Sequence, residues 1–292
     1  MDLKKLLVRT LSGAVFVAVL ITSIIVSEWT FLALMLVLSS LGIKEFHHIT
    51  HAHHRIEVQR GTAITANCFL QLGAFAYAFA FDIFKWLELP QPRHVALFFV
   101  PYILVIIITF VAELFRHCEH PMHNLAYFVL GQVFVSLPFA SLYGILSWGD
   151  TWQPHLLLSI FLIIWVNDTF AYLVGSAFGK HHLLKHVSPH KSWEGFFGGA
   201  VFAIGAGLLL GYFKFAPEEG LNPMTLWQWA AFAVVTVVFG TLGDLLESLL
   251  KRAVGKKDAG NIIPGHGGIL DRFDSTLLAG PAIYLYLLFV LS

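Results

Sequence analysis

Charge is what this sequence has least of. Asp, Glu, Lys and Arg together make up 12% of its 292 residues, against 57% apolar residues and a mean hydropathy of +0.74. A water-soluble domain carries about twice that share of charge, so the composition excludes one and points to a membrane protein. Cysteine is scarcer still. There are two, Cys68 in an apolar run and Cys118 in a short polar stretch, too distant in sequence and setting to frame a disulfide scaffold, and both are read as free thiols. Basic and acidic residues balance at eighteen each, so no excess charge marks a nucleic-acid partner, and the position of each charge carries the information instead.

What is present is a succession of long apolar runs. Roughly twenty helical residues cross about 30 Å of hydrocarbon. Runs of that kind are placed at 10–27, 29–43, 62–84, 95–113, 124–146, 155–178, 196–213, 225–247 and 275–291. The expected fold is therefore all-α, a polytopic helical membrane protein of about nine transmembrane helices, the short second run pairing with the first around Glu28. The beginning, MDLKKLLVRTLSGAVFVAVLITSIIVS, imitates a signal peptide, but its apolar run is long and no clean cleavage site follows, so it is read as an uncleaved first span. With the amino terminus in the cytoplasm, nine spans leave only Lys85, Arg93 and Lys214 of the eighteen basic residues on the outer side. Neither a low-complexity linker nor an internal repeat interrupts the chain, which predicts one integral membrane domain over 1–292, with an amino-terminal half at 1–150 and a carboxyl-terminal half at 151–292.

Two polar regions do not read as ordinary loops. The first runs from Lys251 to Asp274 and contains KKDAGNIIPGHGGILDRFDS. A solvated basic connection would explain its lysines. It would not explain Asp258, Asp271 and Asp274 within the basic run, five glycines at 255, 260, 265, 267 and 268, or the Asp244 and Glu247 that precede it. Glycine-rich backbone with mixed charge suits close approach to a phosphate. Asp244, Glu247 and Lys251 share a helical face if the helix continues past Ser248, so a purely structural ion pair is equally open. Asp271 and Asp274, three apart, fit the acidic first turn of a helix. With a carboxylate from a neighbouring helix they would also make an oxygen-rich site for a hard cation such as Mg²⁺.

The second region, NDTFAYLVGSAFGKHHLLKHVSPHKSWEGFFGG, begins at Asn167 and Asp168 inside a predicted span. Lys180, Lys185 and Lys191 supply point charges for phosphates, and Ser188 and Ser192 supply hydroxyls. Helix-start chemistry, with Pro189 near a turn and Glu194 in a first turn, accounts for the same residues without a ligand. GSAFGKHH is one residue short of a nucleotide P-loop and lacks its hydroxyl. The sequon at Asn167 lies within a span. HHITHAHH, from His47 to His54, lacks accompanying Cys or Glu ligands and is read as interfacial histidine rather than a zinc site.

Taken together, SLLKRAVGKKDAGNIIPGHGGILDRFD resembles the signature of phosphatidate cytidylyltransferases, also called CDP-diacylglycerol synthases. NDTFAYLVGSAFGK with SPHKSWEGFFGG is similar to that family's other recognisable block. The likeness covers the carboxyl-terminal half. His190 and Ser192 depart from the expected S-P-K-K-T-W-E-G, which puts a phosphate role for position 190 in doubt.

The resemblance implies CTP and phosphatidate as substrates, CDP-diacylglycerol and pyrophosphate as products, a place in phospholipid biosynthesis, Mg²⁺ with a second cation, and a homodimer. It also implies a bacterial inner membrane with the site on its cytoplasmic side. Carried over residue by residue, it gives Asp244, Asp271 and Asp274 to the metal and Lys251 with Arg252 to the reacting phosphates. His266, Gly267 and Gly268 would form a close-approach turn, and Arg272 would anchor the lipid phosphate or the loop. Lys180, Ser188, Lys191 and Glu194 would contact the nucleotide, with Ser248, Lys257 and Asp258 as further substrate contacts and Asp168 behind the metal carboxylates. A CTP-dependent polyprenol or phytol kinase is the nearest rival, and a transporter with intramembrane acids is the rival from a different class.

Overall fold

Hydrocarbon cannot satisfy backbone N–H and C=O groups, so apolar runs of this length cross it as helices. The computed structural model describes residues 3–54, 56–80, 94–215, 224–256, 259–260, 262 and 267–290, and they are helical except for one short hairpin and the connections. Among the described residues, seven helices are long and apolar enough to cross a membrane, and a shorter apolar helix follows at Thr276–Val290. The chain is a polytopic helical membrane protein. It divides into two compact units, one of Met1–Asp150 with Asp258–Arg272, the other of Thr151–Lys257 with Phe273–Ser292.

The first unit contains α1 (Leu3–Val26), α2 (Glu28–His54), α3 (Arg60–Ala78), α4 (Val100–Leu114), α5 (Pro121–Gly131) and α6 (Leu137–Leu146). A π turn at Gln132–Ser136 joins α5 to α6 in one crossing. Its core is built from Phe31, Met35, Ile43, Phe46, Phe139, Leu142 and Tyr143, all within 2% of full burial. Buried amides cross-link these helices. Asn67 donates to Ser39 at 2.9 Å, Gln132 to the Ala63 carbonyl at 3.0 Å, and Gln71 to the Ser136 carbonyl at the end of the π turn at 2.9 Å. Asn67 and Gln71 also make α3 too polar to count among the seven, although the segment expected at 62–84 is helical as far as Ala78.

The second helix corrects the expected short span. It continues to His54, and its apolar crossing runs from Glu28 to His51. Glu45, His47 and Thr50 looked like the end of a span, but all three are buried against protein, where their polarity is shielded from lipid.

The second unit contains α7 (Pro154–Phe178), a hairpin of β1 (His182–Leu184) and β2 (Ser188–Ser192), α8 (Trp193–Tyr212) and α9 (Leu226–Ala253). The single turn α10 (Leu270–Phe273) ends in it, and α11 (Thr276–Val290) completes it. The hairpin, antiparallel with His182 opposite Ser192, was not expected from the sequence, because Pro189 was read as belonging to a turn before a helix. The helix starts instead at Trp193, where Ser192 caps it by accepting from the Gly195 N–H at 3.1 Å. A capping box of Thr225 with Gln228 starts α9, which runs six residues past the expected limit at 247 and so places Asp244, Glu247, Ser248, Lys251 and Arg252 on one continuous helix.

Small residues let these helices close on one another. A Cβ on Gly199 of α8 would lie 2.7 Å from both the backbone carbonyl and the side-chain oxygen of Asn167 on α7, and a Cβ on Gly243 of α9 would lie 2.5 Å from the Asp274 carbonyl. The first contact closes α8 on α7 and the second closes α9 on the segment before α11, each beside an acidic residue of the unit.

Candidate functional site

Within the second unit, four carboxylates approach one another from three segments. Asp168 projects from α7, Asp244 and Glu247 from α9, and Asp274 from the turn before α11. Asp274 sits among the charges of Asp244, Glu247 and Asp168. Lys191, at the end of β2, forms an ion pair with Asp244 Oδ2, and Ser248 Oγ lies 3.4 Å from Asp244 Oδ1. Asp168 accepts from the Asn167 amide at 3.3 Å. Lys251 pairs with Glu247 at 2.5 Å, the i, i+4 contact that the face of α9 allows.

The electrostatics follow from that census. Burial first, and then the Asp244 and Glu247 carboxylates, push the Asp274 carboxyl well above the usual carboxylate range, while the Ser275 N–H at 2.6 Å opposes the rise. Crowded carboxylates with oxygen as their only donor suit a hard divalent cation in charge and in chemistry. Among the described residues, however, no three His, Cys, Asp or Glu side chains form a ready-made metal-binding group. In the arrangement shown, the cation facing Asp244 is the ammonium of Lys191.

Other residues expected at the site are engaged close by. The Glu194 carboxylate accepts from the N–H groups of Lys180 and His181 at 3.1 and 3.2 Å and meets His181 Nδ1 at 2.5 Å. It thereby holds the exit of α7 against the start of α8, and the Lys180 side chain is left exposed. Ser188 opens β2 opposite Leu184. Arg252 reaches the Val187 carbonyl at 3.5 Å and the Lys256 carbonyl at 3.3 Å, tying the end of α9 to the hairpin.

Asp271 belongs to the first unit, and there it is used by the backbone. Its carboxylate accepts from Ala259 N–H at 3.0 Å and from Gly268 N–H at 2.8 Å, which closes the glycine-rich segment on itself. Gly267 adopts φ +81°, and a Cβ there would lie 2.7 Å from Asp271 Oδ2. Glu45 of α2 accepts from Leu270 N–H at 3.0 Å. Cβ atoms at Gly260 and Gly268 would each lie 2.5 Å from a Glu45 oxygen. At Gly260, Gly267 and Gly268 the absence of a Cβ permits close approach, and among the described residues what approaches them is carboxylate. Arg272 is exposed and continues the turn from Ile269. Lys257, Asp258 and His266 lie outside the described residues.

Glu45 is the engaged carboxylate that the sequence does not single out. With the expected second span ending at 43, Glu45 falls in a loop where a carboxylate needs no explanation. A lone acid inside an apolar helix, costing about 2.5–3.5 kcal/mol at mid-membrane, was the signal that could have found it.

Comparison with known proteins identifies the family. A model of the cytidylyltransferase family matches residues 7–290. Among curated relatives, proteins named phosphatidate cytidylyltransferase from Staphylococcus aureus and Staphylococcus epidermidis are each 40% identical over 163 residues, and that of Staphylococcus haemolyticus is 37% identical over the same length. Each match covers 56% of this chain and 59% of the relative, so the chain spans little more than half the length of the relatives it matches. Because the family model extends over nearly every residue from α1 to α11, the chain belongs to the cytidylyltransferase family.

Proposed function

We propose that this protein is a phosphatidate cytidylyltransferase, converting CTP and phosphatidate into CDP-diacylglycerol and pyrophosphate at the membrane surface. The observation that carries the reading is the carboxylate cluster of Asp168, Asp244, Glu247 and Asp274 with Lys191 set against Asp244. Family membership and the curated relatives' names support the substrates.

In this reaction an oxygen of the lipid phosphate bonds to the α-phosphorus of CTP while the bond from that phosphorus to the bridging oxygen of the β-phosphate breaks. The attacking oxygen is already ionised, so neither a protein nucleophile nor a base is needed. The obstacle is charge. Two unit charges at about 4 Å repel by about 4 kcal/mol at an effective dielectric near 20. Asp168, Asp244 and Asp274 would hold Mg²⁺, which when bound offsets the charge of both phosphates and of the departing pyrophosphate. Four carboxylates leave enough negative charge for a second cation.

This chain's own residues do the rest. Lys191 keeps an ammonium at the edge of the same carboxylates, placed to steady nucleotide phosphates. Lys251 and Arg252, about two helical turns beyond Asp244 on α9, add positive charge on the side where the helix ends. Glu194, through Lys180 and His181, holds the hairpin that carries Lys191. Asp271 closes the glycine-rich segment, and we assign it to that loop instead of the metal. The basic distribution supports a cytoplasmic site, and the bacterial relatives support a bacterial inner membrane. We further propose a homodimer as the working form.

The test uses purified protein with phosphatidate, Mg²⁺ and CTP labelled either in cytidine or in its γ-phosphate. Cytidine label in the lipid, with pyrophosphate released in equal amount, is the expected result. Label entering lipid from the γ-phosphate alone would mean a lipid kinase and overturn the assignment.

A further inference from the structure

Glu45 is 5% exposed on an apolar crossing, a setting where an aliphatic side chain would stabilise the fold at less cost than a carboxylate. Its contacts say what the carboxylate does there. One oxygen accepts from Leu270 N–H, 225 residues away in sequence, and the two oxygens lie against Gly260 and Gly268 closely enough that a methyl group at either would collide. Asp271 binds the two ends of the same segment together through Ala259 N–H and Gly268 N–H. The two carboxylates thus divide the work. Asp271 closes the segment on itself, and Glu45 fastens the closed segment to α2.

We propose that Glu45 is a positioning residue for the cytidylyl transfer, acting by fixing the backbone at 260 and 268–270 against α2. The proposal rests on the reading of the function given above. Leu270, whose N–H is held, begins the turn α10, and the chain leaves that turn at Asp274, a member of the carboxylate cluster. A backbone free to shift at 268–270 would therefore loosen the strand of chain that delivers Asp274. A carboxyl oxygen at this position accepts from the Leu270 N–H, which an aliphatic side chain could not do.

The experiment compares Glu45→Gln, which keeps a neutral acceptor, Glu45→Leu, which removes it, and Gly260→Ala, which pushes on the same carboxylate from the loop side. Steady-state kinetics are measured per folded molecule, with CTP and phosphatidate varied separately, and amide hydrogen exchange is followed in peptides spanning 259–273. We expect kcat to fall by about tenfold in Glu45→Gln and further in Glu45→Leu, with KM for each substrate within about twofold of the wild type. Exchange should rise in the 259–273 peptides in the same order and stay unchanged elsewhere in α2. Gly260→Ala should give the same pair of changes. Unchanged kcat, or unchanged exchange in those peptides, overturns the proposal, as does a loss confined to the yield of folded protein. Failure of the functional reading shows separately, because the wild type would then attach no cytidine to lipid, while the exchange measurement would still report on the Glu45 contact.

Discussion

Among the described residues, the carboxylates of Glu45 and Asp271 in the first unit and those of Asp168, Asp244, Glu247 and Asp274 in the second meet different partners. In the first unit one oxygen of Glu45 and the carboxylate of Asp271 accept from backbone N–H groups at 2.8–3.0 Å, both acids are packed against glycine, and the second Glu45 oxygen is buried with no hydrogen-bond partner among the described residues. In the second unit Asp244 faces the ammonium of Lys191, and Asp274 is crowded by other carboxylates. A carboxylate satisfied by fixed amides builds structure, since nothing needs to leave when a ligand arrives. A carboxylate facing a long, flexible lysine, or crowded by like charge, is prepared to exchange its partner for a cation. On the function proposed above, the first pair serves as scaffold and the second group carries the chemistry, although all are ordinary acidic residues.

The hardest test of that contrast is Asp274→Asn. Turnover should fall by about a thousandfold or more, while the metal-free fold is retained or gains stability. The sign follows from the raised pKa of Asp274. Its proton is bound more tightly in the fold than in the unfolded chain, so the stability it contributes is present at low pH and is lost as pH rises through the raised value. Thermal unfolding of the metal-free protein across pH should show that slope in the wild type and a flatter one in Asp274→Asn.

Lys191→Gln should lower kcat/KM for CTP by about a hundredfold. The same variant should be stabilised more by Mg²⁺ than the wild type is, since no ammonium competes for Asp244. Thermal shift against Mg²⁺ concentration measures this, and an unchanged shift would remove Lys191 from the cluster's role.

A smaller loss, about tenfold to a hundredfold in kcat, is expected for Asp271→Asn. Here the Mg²⁺-dependent thermal shift is the deciding measurement. It should persist in Asp271→Asn and vanish in Asp274→Asn, and its loss in both would make Asp271 a metal ligand and erase the contrast.

Gly267→Ala should cost about 1–3 kcal/mol of stability, because its φ is +81° and a Cβ would meet the Asp271 carboxylate at 2.7 Å. Chemical denaturation in detergent gives the figure. The smallest effect belongs to Gly205→Ala on α8, where no atom lies within 4 Å of the added carbon, and stability should stay within about 1 kcal/mol of the wild type.

Much of this was legible along the chain. Apolar runs predict helices because hydrocarbon leaves the backbone no alternative, and seven of the placed runs correspond to long apolar helices, with the eighth at Thr276–Val290. Asp244 and Asp274 stood out because acids at the ends of apolar runs ask for a reason. Lys191 was named, but for a phosphate, and its pairing with Asp244 across 53 residues could not be read from spacing. Asp271 and Asp274 looked like one helical face, yet the turn at Leu270–Phe273 is a single one, and each carboxylate found its partners in a different unit. Glu45 escaped because its partner amides lie near the other end of the sequence.

Sequence alone determined the membrane environment, the helical class and the family, because hydropathy over twenty residues and a fixed run of signature residues are local properties of the chain. Only the tertiary structure decided that Glu45 and Asp271 meet backbone amides of the glycine-rich segment while Asp244 meets the Lys191 ammonium. That division depends on what each carboxylate meets at about 3 Å, and residues that close come from segments tens to hundreds of positions apart.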